Sequence, residues 1–214
     1  MPISENTITK YHGVKITYEM KNRAKTEAEK REAFIKHHFI QTDHLYSFQE
    51  IMMIGFFGEF AARILLDLDW RTGIRPNYET IDSNDILINK LVIDIKTESI
   101  PERYVWDVIT KKIKYNEYYG NRLYHAGQKD LIAKYDIIFM GTVIREDNFN
   151  DINAWFPIGW IYAENIQKYP CGKKGPIHWM TRHRIQYPFA AFQIPTYHLR
   201  GLDELREFIQ TPKS

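Results

Sequence analysis

The chain has 214 residues, enough for one domain with a small extension and too few for two full ones. Hydrophobic residues are 44% and charged residues 26%, which excludes a disordered or fibrous chain, and a formal net charge of +2 excludes a nucleic-acid binder working by bulk charge, so any basic surface must be local. The single cysteine, Cys171, excludes internal disulfides and Cys-rich zinc modules and fits a reducing, cytoplasmic compartment.

In chain order, MPISENTITK carries no apolar signal-peptide core. Residues 1–20 read as an arm with one short strand at Val14–Tyr18, and 22–39 as a charged, solvated helix. Residues 47–68 give the strongest helix pattern. Ser47 and Glu50 have capping-box spacing, and IMMIGFFGEFAARILL is apolar nearly all round, so burial on several sides is expected. Glu59 and Arg63 interrupt this run, which falls short of the ~20 apolar residues of a membrane span. Trp70–Tyr78, with Gly73 and Pro76, reads as a loop. DILINKLVIDIKT, 85–97, reads as two strands around Asn89-Lys90. A helix over 102–118 follows, then buried strands at 136–144 and Ile158–Ala163. Pro170, Pro176, Pro188 and Pro195 mark 165–200 as loop-rich, and 201–210 closes as a helix with Leu202, Leu205, Phe208 and Ile209 inward. The order helix, strand pair, helix, strand, strand, helix predicts an α/β fold with a mixed central sheet flanked by helices. The expected division is an N-terminal arm and helix over 1–46 and the main domain over 47–214.

A tight turn at Asn89-Lys90 sets Ile88 against Leu91, Leu87 against Val92, Ile86 against Ile93 and Asp85 against Asp94. Opposed residues share a sheet face, and Lys96, two residues past Asp94, joins them. Opposed like charges are destabilising, and Asp is disfavoured in strands. A divalent cation removes the conflict, because Mg²⁺ takes one or two carboxylates and fills its remaining positions with water and substrate phosphate. Lys96 would then supply positive charge for a phosphate or help deprotonate a water. Glu59 is the second oddity, an acid in a core helix with Gly55 and Gly58 beside it, where another backbone would approach closely.

Glu59 in a GEFAA helix, Asp85 opening a strand, and Asp94-Ile95-Lys96 after eight intervening residues together resemble the PD-(D/E)XK nuclease superfamily, the restriction-endonuclease-like fold. The resemblance covers about residues 47–97. It implies a Mg²⁺-dependent site, with Mn²⁺ able to substitute, that hydrolyses phosphodiester bonds. By position, Asp85 resembles the first motif acid, Asp94 the second, Lys96 the lysine and Glu59 the helix-borne acid. Glu59, Asp85 and Asp94 would hold the metal, and all four residues would be catalytic. Asn84 stands where many members have proline. The expected function is a metal-dependent DNA endonuclease of restriction, repair or phage type, as a monomer or homodimer. The alternative is an inactive nucleic-acid-binding module on the same fold.

Simpler readings stand beside these. Asp94 and Lys96 can form a surface salt bridge, and Glu59 can pair with Arg63 at i,i+4. Glu98 reads as solvated and Asp136 as a strand-edge polar residue. Zinc at His37, His38 and His44, or at Cys171, His178 and His183, matches no usual spacing. For DNA, the acid-free stretch Ile166–Arg184 offers Lys173, Lys174, Arg182 and Arg184 among aromatics, and Lys111 and Lys112 make a second basic run. The aromatic content, 14%, concentrates after the hairpin, at Trp106, Trp155, Trp160, Trp179 and their neighbours. It marks core packing and a C-terminal surface that meets a partner.

Overall fold

The computed structural model describes residues 3–33, 45–72, 78, 85–178 and 183–210, with only the backbone for 175–178 and 183–188. The elements are α1 (Glu5–Lys10), β1 (Val14–Lys15), α2 (Tyr18–Glu32), α3 (Phe48–Leu65), β2 (Ile86–Ile88), β3 (Leu91–Pro101), α4 (Glu102–Ile109), β4 (Asn121–His125), α5 (Lys129–Ile132), β5 (Ile137–Arg145), β6 (Ala154–Tyr162), β7 (Cys171–His178), β8 (His183–Pro195) and α6 (Leu202–Gln210). Among the described residues no helix is long and apolar enough to cross a membrane.

A five-stranded mixed sheet runs β1-β6-β5-β3-β2, and a three-stranded antiparallel sheet runs β4-β8-β7. The mixed α/β class expected from the element order is thus present. β3 and β5 pair in parallel from Ile93↔Ile137 to Pro101↔Arg145, while β5 and β6 are antiparallel with a register shift at Met140/Gly141. β1 pairs with the far edge, Val14 opposite Trp155, so the arm before residue 46 enters the sheet.

Alternation along the strands divides the apolar residues between two cores. Ile93, Ile95, Phe139, Val143 and Trp155 face α3 and share a core with Met20, Ala24 and Ala28 of α2 and Leu205 of α6. Ile100, Ile138, Met140 and Phe156 face the other way, into a core with Val105 and Val108 of α4, Tyr124 of β4 and Ile194 of β8. Trp155, Phe156 and Trp160 are fully buried, so these aromatics are core.

α3 begins with the expected capping box: the Glu50 amide donates to Ser47 Oγ at 3.2 Å and the Ser47 amide to the Glu50 carboxylate at 2.7 Å. The hairpin forms in the expected register, and Asn89 and Lys90 have φ of 48° and 66°, the left-handed pair that a two-residue hairpin turn of this kind requires. Asn89 Nδ2 donates to the Ile209 carbonyl at 3.0 Å, and Arg206 donates to the Leu65 carbonyl, so α6 ties the turn to the end of α3.

Several boundaries differ from expectation. α1 forms where an arm was expected, nucleated by Ser4, whose hydroxyl accepts from the Thr7 amide. α2 starts at Tyr18, capped by Thr17; residues 34–44 lie outside the described residues, as do 73–77 of the expected loop. The helix expected over 102–118 stops at Ile109, because Lys111 turns left-handed and the amides of Lys112 and Ile113 fold back on the Asp107 carbonyl. Within 165–200, Cys171–His178 and His183–Pro195 are strands rather than loop. The prolines of this stretch sit where strands tolerate them: Pro176 where the β7–β8 register shifts between Lys174 and Ile177, and Pro195 at the end of β8.

Candidate active site

The β2–β3 register sets Asp85 opposite Asp94 one step past the last paired residues, Ile86↔Ile93. Here the ladder changes hands from backbone to side chain. The Asp85 amide donates to the Ile93 carbonyl at 3.2 Å, and the Asp85 carboxylate accepts from the Ile95 amide at 2.7 Å. The Asp85 carbonyl accepts from Arg63 Nη2 at 2.7 Å.

Asp94 is only 3% exposed. Lys96 Nζ lies 2.9 Å from both of its oxygens, in hydrogen-bonding direction only toward Oδ1, which leaves Oδ2 buried without a hydrogen bond. Burial pushes the Asp94 carboxyl up to about 7. Lys96 opposes that shift, and the neighbouring Asp85 charge adds to it. Over the pair stands Tyr124, itself buried, its ring centroid 5.5 Å from Lys96 Nζ. Its hydroxyl has no hydrogen-bond partner among the described residues, and burial, followed by the Asp94 charge, raises its pKa.

Glu98 extends the same face of β3. Its side chain stays 35% exposed, so it is partly solvated as expected, and it is also ion-paired at 2.5 Å with Arg122 Nη1, Arg122 being wholly buried. Burial raises the Glu98 pKa against the opposing pull of Arg122. Arg122 also donates to the Tyr119 carbonyl, while its Nε has no partner among the described residues. Arg122 and Tyr124 escape a reading of the sequence because strand β4 does. The signal is the alternation in NRLYH, where Arg122 and Tyr124 point inward and Leu123 does not.

Glu59 occupies a different position. It is half-buried on α3, which packs on the Ile93, Ile95 and Thr97 side of β3, whereas Asp94 and Lys96 project from the opposite side. What links it to the cluster is Arg63: burial lowers the Arg63 pKa, and the charges of Glu59 and Asp85 counter that shift. The structure therefore gathers Asp85, Asp94 and Lys96, and leaves Glu59 on the other side of the sheet, linked to them through Arg63 and the Asp85 main chain. Among the described residues no group of three or more His, Cys, Asp or Glu side chains is close enough to hold a metal ion. Asp136 caps a strand edge as expected, accepting the Val92 amide at 2.8 Å.

The candidate phosphate contacts also divide. Lys111 Nζ donates to the Leu199 carbonyl at 2.5 Å, a structural role, while Lys112 is exposed. Lys173 and Lys174 are exposed on β7. Arg182 lies outside the described residues, as do Trp179 and the side chain of Arg184.

Comparison with family models, curated proteins and solved structures gives no match for this chain.

Proposed function

We propose that this chain is a metal-dependent DNA endonuclease with a restriction-endonuclease-like fold. The observation that carries the reading is the Asp85–Asp94–Lys96 arrangement, with two carboxylates opposed on a hairpin and a lysine over the buried one. A sheet has no structural need for that conflict, and a cation relieves it. The donor set fits a hard divalent ion. Asp94 Oδ2 is buried without a hydrogen bond, and two carboxylates are what Mg²⁺ usually takes from protein.

Asp85 and Asp94 would hold Mg²⁺ or Mn²⁺, while Glu59, on the α3 side of the sheet, would act on them through Arg63 and the Asp85 main chain rather than as the third ligand that the resemblance implies. When bound, the ion supplies Lewis-acid stabilisation of the phosphate oxygens. Asp85 is aimed by the Ile95 amide and by Arg63 on its carbonyl, so its carboxylate needs little reorganisation. Lys96, which lies 2.9 Å from the Asp94 carboxylate, would hold the scissile phosphate charge and orient the attacking water. Tyr124 closes the far side of the cluster and limits water there.

The test is purified protein with plasmid DNA in Mg²⁺ or Mn²⁺. Cleavage that Asp94→Ala and Lys96→Ala abolish, and that chelation stops, is the expected result. Cleavage unchanged in both variants overturns the mechanism. DNA binding that ignores divalent metal and survives Asp94→Ala, with no cleavage, points to the inactive binding module.

A further inference from the structure

Away from the acids, β4, β7 and β8 border a groove of ≈ 800 Å³ whose described lining residues include no acid. Lys173 and Lys174 line it from β7, both exposed and without an ion pair among the described residues. Tyr115 stands at its rim, 55% exposed, with no aromatic partner among the described residues. The walls are held by their own bonds: Asn121 Nδ2 donates to the Tyr115 carbonyl at 2.5 Å and Gln193 Nε2 to the Lys174 carbonyl at 2.7 Å. Tyr169 Oη and His198 Nδ1 share a further bond at 3.1 Å.

We propose that this groove binds single-stranded nucleic acid, with Tyr115 stacking on a base and Lys173 and Lys174 on the adjoining phosphates. It rests on the nuclease reading for the reaction that would follow, and not for the binding itself. A lysine pair in an acid-free groove is complementary to a phosphate backbone. The exposed ring of Tyr115 offers a stacking face, which an unpaired base can use and a stacked duplex cannot. The volume lies within the roughly 300–1,000 Å³ of ligand sites.

Cys171, the only cysteine, is exposed in the groove and serves as its reporter. With divalent metal chelated, oligothymidylate of about ten nucleotides, inside the span one such site covers, should bind and slow thiol labelling of Cys171. A blunt duplex of equal length should not slow it. Tyr115→Ala should weaken binding roughly 5- to 150-fold, and Tyr115→Phe should leave it nearly intact. The Lys173→Gln, Lys174→Gln double variant should reduce the log–log salt slope by about 1.4. Labelling indifferent to the single strand, duplex protection as strong as single-strand protection, or Tyr115→Ala binding like the parent each overturns the proposal. If the single strand protects Cys171 while the protein cleaves no DNA in Mg²⁺ or Mn²⁺, the nuclease reading fails and this one stands. Asp94→Ala should keep the protection and lose the cleavage.

Discussion

The Asp85 carboxylate accepts the Ile95 amide at 2.7 Å, so a side chain supplies the rung where the β2–β3 ladder ends. Removing it leaves an amide beside a buried strand without its partner. Asp85→Ala should therefore cost about 1–3 kcal/mol in urea unfolding. Asp85→Asn keeps an acceptor oxygen and should recover most of that stability. In the proposed enzyme it should still lose activity, which separates the structural role of Asp85 from its charge.

Asp94 sets a pH dependence whose sign is fixed. Its folded pKa, about 7, lies above the ordinary aspartate value of 3.8, so between these values the native state holds a proton that the unfolded chain has released. Stability from this group is full below about pH 4 and is lost as pH rises toward 7. Each pH unit in that window is worth about 1.4 kcal/mol, so the fall amounts to a few kcal/mol. Glu98, also raised, adds in the same direction. Metal-free thermal melts should show the decline, and Asp94→Asn should flatten it. A profile equally steep in Asp94→Asn assigns the decline to other groups.

The two glycines of α3 should respond oppositely to alanine. A Cβ at Gly58 would land on Thr97 Oγ1, 3.1 Å from Thr97 Cβ and 3.2 Å from Trp155 Nε1. It would also disturb the Trp155–Thr97 hydrogen bond of 3.1 Å. Gly58→Ala should destabilise by about 1–3 kcal/mol through overpacking. Nothing lies within 4 Å of a Cβ at Gly55, so Gly55→Ala should gain up to about 1 kcal/mol of helix propensity. Denaturation midpoints of the two variants check both.

Arg122 is fully buried, and Glu98 carries the opposing charge at 2.5 Å. Glu98→Gln should cost roughly 1–3 kcal/mol, because it removes the charge opposing a buried guanidinium while leaving a partly exposed amide oxygen that can still accept from it. Arg122→Met with Glu98→Leu removes both charges and should cost less than Glu98→Gln alone. Equal losses would mean that packing, and not charge pairing, dominates at this position.

The hairpin was legible because a local rule governs it. Asn89-Lys90 sets the turn, the turn sets the register, and the register brings Asp85 opposite Asp94. The α3 capping box is equally local. Long-range relations were not legible. Which side of the sheet α3 covers depends on the Ile93/Ile95 face meeting Phe57 and Ala61, and that places Glu59 across the sheet from Asp94. The partner of Glu98 sits on β4, which is only five residues long and follows a turn-rich segment. The prolines of 165–200 read as breakers because their positions at a register shift and a strand end emerge only from pairing.

The five-stranded sheet ends in β1, two residues long, at one edge and β2, three residues long, at the other. Open strand edges are where sheets recruit foreign strands, and edges this short offer almost no ladder to extend. Two copies of this chain are thus poorly equipped to merge their main sheets into one continuous sheet. A twofold assembly would have to meet through helices, loops or the smaller sheet rather than through the strands that carry the acids.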